Sequence, residues 1–161
     1  MLTDYVVIDL EMTGLNAKTD RILEAGAARV RGNVVTATFS EIINPKRELS
    51  EKVISLTGIT NEMAVQGKEM DATLMAFLDF IGEDILVGQN VIFDYSFLKQ
   101  WAVNHKRTFE RNAVDTLKLA RKFLPQEQKK DLASLCSYFG IERVHAHRAL
   151  DDVCLLYTSD A

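Results

Sequence analysis

The stretch that decides the fold is VVIDLEMTGL, residues 6–15. It begins as an apolar run of the kind that fills the middle of a sheet, and then places two acids, Asp9 and Glu11, where the apolar pattern would continue. Side chains in a strand alternate between faces, so these two carboxylates point the same way. Neighbouring carboxylates repel, and burial raises that cost. A divalent cation between them would relieve it, and oxygen ligands suit Mg²⁺ or Mn²⁺. The alternative interpretation is that the strand ends at the protein surface, where both carboxylates are solvated.

The composition is that of an ordinary globular domain, with 161 residues of which 47% are hydrophobic and 26% charged. No stretch approaches the roughly 20 apolar residues that cross a bilayer. The N-terminus has no basic leader, so we expect a cytoplasmic protein with no membrane contact. The two cysteines, Cys136 and Cys154, form no metal-spaced pair and indicate no disulfide framework.

The charge is uneven along the chain. The net charge of −4 argues against a protein that coats nucleic acid by charge alone. Residues 1–98 carry 8 Lys/Arg and 15 Asp/Glu, whereas residues 99–130 carry 9 basic and 3 acidic residues. The basic segment is either a strip that binds a phosphate backbone or a solvated helix face.

The remaining pattern predicts one α/β domain with mixed strand pairing, because three strands in succession are followed by strands that alternate with helices. A two-residue turn at Gly32 and Asn33 separates the second and third strands. Ser50 and Gly58 are placed to begin and end one helix, and Asp71 to cap the next. The predicted strands are residues 5–11, 22–31, 34–44, 85–88 and 112–115, and the predicted helices are residues 51–57, 72–82, 94–105, 116–124, 132–140 and one that begins near 148.

Three further residues stand at informative places. Asp94 follows a short apolar strand and opens a helix, while His147 and Asp152 lie five apart at the head of the last helix. Taken singly, Asp94 is typical of a helix N-cap, Asp152 of a charge in a first turn and His147 of a surface histidine. His145 and His147 have the spacing of a transition-metal pair, but no cysteine or third histidine supports that interpretation.

The combination is more specific than its parts. Asp9-x-Glu11, QNVIFD ending at Asp94, and His147-x-Ala149-x-x-Asp152 together resemble the DEDDh family of 3′→5′ exonucleases. The stretches LTGIT (56–60) and VDTLKLAR (114–121) match family landmarks between them, and the resemblance covers residues 5–153. It is closest to the proofreading exonucleases of bacterial replicative DNA polymerases, of the epsilon-subunit and PolC types.

The resemblance implies a ribonuclease-H-like fold, in which a mixed five-stranded sheet has helices on both faces. It implies that Asp9, Glu11, Asp94 and Asp152 bind two Mg²⁺ or Mn²⁺ ions and that His147 is the general base. Asp115 resembles the family's structural aspartate and is not counted as a ligand. Many relatives carry histidine where this chain has Gln89, a departure that leaves the ligand set intact.

Substrate contacts also follow from the resemblance. Backbone around Thr13 and Gly14 would approach the terminal 3′-hydroxyl, and Asn90 would bond to the backbone beside the scissile phosphate. Three side chains would pack or stack against the last bases, which suits an enzyme that accepts every sequence. They are Leu15, Ile59 and Phe93. For Ile59 and Phe93, core packing is an equally good interpretation.

The resemblance leaves the polymer and the setting open. The favoured substrate is a single-stranded or frayed DNA 3′ end, with a DNA polymerase as a possible partner. An RNA-trimming exonuclease of the same family is the first alternative, because the motifs do not reveal a contact to the 2′-hydroxyl. A non-catalytic nucleic-acid-binding module is the second, although all four acids and the histidine are in place.

The last eight residues, CLLYTSDA (154–161), match the translation of a sequencing-library adapter. We therefore expect an exonuclease domain at residues 1–153 and a non-native tail at 154–161, which is left out of fold reasoning. Reading the encoding DNA beyond Val153 tests this, since an unrelated nucleotide string there would refute it.

Overall fold

The structure, a computed structural model, describes residues 3–116. Its elements in chain order are β1 Tyr5–Met12, β2 Ile22–Arg31, β3 Val34–Ile42, α1 Glu51–Thr57, α2 Asn61–Val65, α3 Met70–Ile81, β4 Leu86–Gly88, α4 Val91–Asn104 and β5 Ala113–Asp115. The strands form one five-stranded sheet in the order β3-β2-β1-β4-β5. Because β1 pairs antiparallel with β2 and parallel with β4, the sheet is mixed and β1 is central, as predicted.

The β2–β3 hairpin turns where the sequence places its two permissive residues. Gly32 and Asn33 both have positive φ, 56° and 63°. Such a turn has the twist that joins two antiparallel strands without splaying them. β3 ends at Ile42, two residues before the predicted end.

The two faces of the sheet bury different sets of side chains. On β1, Val6, Ile8 and Leu10 belong to the main core cluster, together with Phe77 of α3 and Trp101 of α4. Tyr5 and Val7, the alternate residues in the first half of β1, belong to a smaller cluster on the opposite face. α3 and α4 therefore cover one face of the sheet. The helices predicted at 116–124, 132–140 and from 148 lie essentially outside the described residues.

α1 begins and ends as predicted. The Ser50 side chain accepts a hydrogen bond from the Val53 amide at 3.2 Å, and Gly58 ends the helix in the left-handed conformation with φ 75°. α2, a five-residue helix capped by Thr60, was not predicted. No helix in the described part of the chain is long and apolar enough to cross a membrane.

The predicted cap of α3 is wrong. Glu69, not Asp71, is the N-cap, and its carboxylate accepts a hydrogen bond from the Ala72 amide at 2.7 Å. Asp71 lies two residues later, in the first turn of α3, and accepts a 3.0 Å hydrogen bond from the Trp101 indole of α4. Glu69, two positions earlier, caps the free amides at the start of α3. Asp71 is therefore available to link α3 to α4.

His105, just after α4, completes this junction. Its Nδ1 lies 2.8 Å from the carbonyl oxygen of Trp101 and its Nε2 lies 3.1 Å from a carboxylate oxygen of Asp71. Both neighbours are acceptors, so these contacts favour the protonated form of the ring. The Trp101 carbonyl, and then Asp71, raise the pKa of His105, whereas partial burial and Arg107 oppose the shift. The indole of Trp101 is the main cause of the lowered pKa of Asp71, to which His105 and Arg21 contribute.

We expect a pH-dependent term in stability from this junction. Because the pKa of His105 is raised above 6.5 in the folded state, its stabilising contribution is complete below pH 6.5 and is lost as the pH rises through the folded value. Urea unfolding of the Asp71→Asn variant is therefore expected to show a flatter pH dependence than wild type between about pH 6 and 8. Asp79→Asn removes an equal charge from an exposed position of α3 and is the control. Equal flattening in both variants would contradict the assignment.

Candidate active site

The carboxyl ends of three strands meet at one edge of the sheet. β1, β4 and β5 run parallel, so Met12, Gly88 and Asp115 end at the same side. Asp9 and Glu11 lie near this end of β1 and flank Leu10, whose side chain is in the main core. Alternation therefore directs both carboxylates to the opposite face from α3 and α4.

Asp94, in the first turn of α4, reaches this end of β1. β4 stops at Gly88, so the β4-facing side of β1 is left without a strand partner beyond that point. Val6 donates its amide to the Ile85 carbonyl at 3.0 Å, and alternation directs the Leu10 amide toward the same side. The Asp94 carboxylate accepts a hydrogen bond from that Leu10 amide. Because this amide joins Asp9 to Leu10, the Asp94 side chain meets the backbone of β1 between Asp9 and Glu11.

The position of Asp94 also differs from its expected role as a helix cap. α4 starts at Val91, three residues earlier than predicted, because Asn90 takes up the left-handed conformation with φ 50° and ψ 40°. The chain thereby turns from β4 directly into the helix. Asp94 consequently lies inside the first turn, where its side chain points to β1 instead of capping the helix end.

The Asp94 carboxylate has the environment of a cation ligand. The residue is 5% exposed, and its Oδ2 is buried with no hydrogen-bond partner among residues 3–116. Burial raises the pKa of Asp94 well above its usual value, the Asp115 charge raises it further, and the Leu10 amide opposes both. A buried carboxylate oxygen without a donor is costly unless a cation meets it. The oxygen-only donor set of Asp9, Glu11 and Asp94 fits Mg²⁺ or Mn²⁺.

The described residues supply only part of the predicted ligand set. Within residues 3–116, no three acidic, histidine or cysteine side chains approach closely enough to form a cation site by themselves. The predicted ligand Asp152 and the predicted base His147 lie outside the described residues.

Asp115 supports the turn that presents Asp94. Its Oδ1 accepts a hydrogen bond from the Asn90 amide at 3.2 Å. This contact fixes the left-handed residue between β4 and α4, in agreement with the structural role expected for Asp115. The Asn90 side chain itself makes no capping hydrogen bond.

The β1–β2 loop carries Thr13, Gly14 and Leu15 and is organised by Asp20. The Thr13 hydroxyl donates to Asp20 Oδ1 at 3.0 Å, and the Asn16 amide donates to Asp20 Oδ2 at 3.0 Å. Thr13 and Arg21 also exchange two hydrogen bonds of 2.9 Å. A Cβ added to Gly14 would lie 2.3 Å from Asp20 Oδ2, so this position accepts only glycine while Asp20 holds its place.

Sequence reasoning missed Asp20. One signal was present, because Asn16 and Asp20 delimit a short polar stretch between two strands, where such side chains commonly bond to backbone amides. The structure bears this out for both residues, since Asn16 also accepts from the Lys18 amide at 3.0 Å.

The three apolar side chains expected to contact bases have different exposures. Leu15 is 68% exposed and Phe93 is 39% exposed, so both are available to a ligand. Ile59 has no exposed surface and packs in a core cluster with Leu23 and Leu49. For Ile59 the geometry favours the core-packing interpretation, and we assign it no substrate contact.

Comparison with known proteins agrees with this geometry. Residues 6–158 match the family model described as exonuclease, of the RNase T type. The chain is 37% identical over 152 residues to the DNA polymerase III subunit epsilon of Aquifex aeolicus, across 94% of this chain and 75% of that protein. It is 39% identical over 153 residues to the PolC-type DNA polymerase III of Bacillus subtilis, across 92% of this chain and 10% of that protein.

A solved structure shares the fold. The complex of E. coli ExoI with single-stranded DNA superposes with a TM-score of 0.86 at 19% identity, covering 99% of this chain and 40% of that one.

Proposed function

The chain belongs to the exonuclease family, and on that premise we propose that it is a metal-dependent 3′→5′ exonuclease that hydrolyses the terminal phosphodiester bond of DNA. The observation that carries the metal dependence is the contact of Asp94 with β1. A buried carboxylate with no described donor for one oxygen is held at the amide between Asp9 and Leu10. Buried side-chain oxygens that lack a hydrogen bond are uncommon in native proteins, and this one supports the role of a cation ligand.

Asp9, Glu11, Asp94 and Asp152 would hold the two Mg²⁺ or Mn²⁺ ions. When bound, such a pair lowers the pKa of a water and neutralises charge at both the attacking and the departing oxygen. His147 would accept the proton of that water, since an imidazole titrates near neutrality. The new bond joins the water oxygen to phosphorus, and the bond from phosphorus to the 3′ oxygen breaks. The products are a nucleoside 5′-monophosphate and a chain one nucleotide shorter.

The loop and the head of α4 would hold the 3′ end. Backbone at Thr13 and Gly14 would meet the terminal hydroxyl, the Asn90 side chain would bond to the backbone beside the scissile phosphate, and exposed Leu15 and Phe93 would pack on the last bases. Apolar and aromatic contacts do not discriminate between bases. This arrangement suits removal of any nucleotide from a single-stranded or frayed end.

DNA is the proposed polymer because both sequence relatives described above are components of DNA polymerase III. The chain spans three quarters of the Aquifex protein but only a tenth of the PolC-type proteins. Proofreading or end trimming beside a polymerase is therefore part of the proposal. Cleavage of RNA is the principal competing outcome.

The test is a 5′-labelled oligonucleotide incubated with the protein and Mg²⁺ or Mn²⁺. We expect a ladder of products that shorten from the 3′ end one nucleotide at a time, and EDTA is expected to abolish it. Matched DNA and RNA oligomers distinguish the polymers. His147→Ala is expected to be slow while retaining metal binding. Internal cuts, or activity that survives EDTA, would refute the proposal.

A further inference from the structure

A polar cavity lies between the β1–β2 loop, the start of α3 and the last part of α4. One wall is the chain from residue 17 to residue 22, and the first turns of α3 and the C-terminal part of α4 supply the others. The cavity volume is about 270 Å³. This equals the space that roughly nine water molecules take up in the liquid, so a phosphate group fits inside.

Three basic side chains line this cavity. Lys18, Arg21 and Arg47 are all exposed. Within residues 3–116, none of the three forms an ion pair with a carboxylate. The Arg47 guanidinium donates a 3.0 Å hydrogen bond to the Thr19 carbonyl oxygen, which fixes it beside the loop but leaves its charge unneutralised. Positive charges that converge on one small volume attract an anion.

The two carboxylates in the wall of the cavity, Asp20 and Asp71, are already bonded to other groups. Asp20 accepts two hydrogen bonds within the loop, and Asp71 bonds to Trp101 and His105. The pKa of Asp71 is lowered mainly by the Trp101 indole, then by His105 and last by Arg21. The Arg21 charge is therefore close to this wall without being the partner of Asp71, and it stays available to a ligand.

The backbone of Arg21 lies beside the segment that is proposed to hold the 3′ end. Thr13 donates its amide to the Arg21 carbonyl oxygen, and Arg21 donates its amide to the Thr13 hydroxyl, both at 2.9 Å. These bonds close the base of the loop, whose first half carries Gly14 and Leu15 and whose second half lines the cavity. The acids of β1 point to the other face of the sheet. A strand that ends at them must therefore pass over the loop to reach the cavity.

We propose that this cavity binds a backbone phosphate of the nucleic-acid strand, upstream of the scissile bond, through Arg21 and Lys18. The inference rests on the proposed exonuclease function and gives the path of the strand away from its 3′ end. A guanidinium suits this ligand because it presents two parallel donors to a phosphate. Phosphate contacts position a strand without reading its sequence, as the removal of any nucleotide requires.

Hydrolysis of two DNA substrates tests the proposal. The dinucleotide thymidylyl-thymidine contains only the scissile phosphate, whereas a long 5′-labelled oligothymidylate also supplies upstream phosphates. Arg21→Gln is expected to lower kcat/KM for the long substrate about tenfold, mainly through KM, because one hydrogen bond to a charged group is lost. Its kcat/KM for the dinucleotide is expected to equal that of wild type. The slope of log kcat/KM against log salt for the long substrate is expected to become shallower by roughly 0.7.

The controls separate this contact from general charge and from folding. Arg31→Gln removes an equal charge from the opposite end of β2, where Arg31 pairs with Asp84, and is expected to match wild type on both substrates. Lys18→Gln is expected to weaken hydrolysis of the long substrate alone. Both hydrogen bonds between Arg21 and Thr13 use the Arg21 backbone, so the unfolding midpoint of Arg21→Gln is expected to equal that of wild type.

Three outcomes would overturn the proposal. Equal losses on both substrates would show that Arg21 acts on the 3′-end loop itself. A kcat/KM for the long substrate that is unchanged, or that falls equally in Arg31→Gln, would show that no upstream phosphate binds there. Weaker inhibition by thymidine 5′-monophosphate, with unchanged hydrolysis, would assign the cavity to the released nucleotide. Failure of wild type to cleave either substrate would instead refute the proposed function.

Discussion

Asp9→Ala is expected to lose 3′→5′ hydrolysis by at least about a thousandfold, because metal-borne charge stabilisation is worth several kcal/mol and each 1.4 kcal/mol is a factor of ten. Asp9 lies at the centre of the proposed site, since the amide that follows it is bonded to Asp94. Removing its carboxylate takes away one of the proposed ligands of the cations, while Ile8 and Leu10 on either side keep their places in the core. The rate constant for the first cleavage of a 5′-labelled DNA oligomer measures the loss.

Two further variants sharpen this prediction. Asp9→Asn keeps the shape of the side chain and one oxygen, so it is expected to fall between wild type and Asp9→Ala and to improve as the Mn²⁺ concentration rises. Asp79→Asn changes the charge equally at an exposed position of α3 and is expected to retain wild-type rates. If Asp9→Ala kept activity within a few-fold of wild type while remaining folded, the proposed site would be wrong.

Gly14→Ala is expected to lower kcat/KM for DNA roughly a hundredfold, because a displacement of about 1 Å in a substrate-positioning segment can have that effect. The added methyl group would lie 2.3 Å from Asp20 Oδ2 and 2.6 Å from its Cγ. Asp20 cannot simply turn away, since Thr13 and Asn16 both donate hydrogen bonds to it. The loop must move instead, and with it the proposed contacts to the 3′ end.

Two measurements can show that the loss of kcat/KM in Gly14→Ala does not arise from the metal site. Mn²⁺ affinity of Gly14→Ala is expected to equal that of wild type, because the clash lies in the β1–β2 loop beyond Met12. In a double-mutant cycle, Gly14→Ala combined with Asp20→Ala is expected to be no worse than Asp20→Ala alone, because the obstructing carboxylate is gone. Additive losses, or a loss of Mn²⁺ binding, would show that the methyl group acts by another route.

Much of the fold follows from local sequence signals. β2 was predicted with both ends correct, because Ile22 and the Gly32–Asn33 turn mark them. The ends of α1 were also predicted correctly, because Ser50 and Gly58 are typical helix-capping residues. The central position of β1 was predicted from its apolar run and was confirmed.

The predictions of helix ends were wrong where contacts distant in sequence determine which of several suitable residues is used. Either Glu69 or Asp71 can cap α3, and the bonds from Trp101 and His105 decide that Asp71 is used elsewhere. α4 starts early because Asp115, twenty-five residues away, holds Asn90 in the left-handed conformation. Such long-range contacts leave no trace in a local pattern.

Only part of the candidate site could be predicted from the sequence, for the same reason. Asp9 and Glu11 could be predicted because they interrupt an apolar run. Their position relative to Asp94 could not, because Asp94 reaches β1 only where β4 has already ended. The burial of Ile59 likewise became visible only with the packing of α1 and α2.

The β1–β2 loop has a consequence for how such proteins diversify. The hydrogen bonds that Asp20 and Thr13 accept within the loop join residues no more than eight apart in sequence. The loop therefore carries much of its own scaffold, to which Arg47 adds a hydrogen bond to the Thr19 carbonyl oxygen at 3.0 Å. A loop held in this way can change its exposed side chains with little effect on the strand that carries Asp9 and Glu11, so that the proposed contacts to 3′ ends can vary independently of the proposed metal ligands.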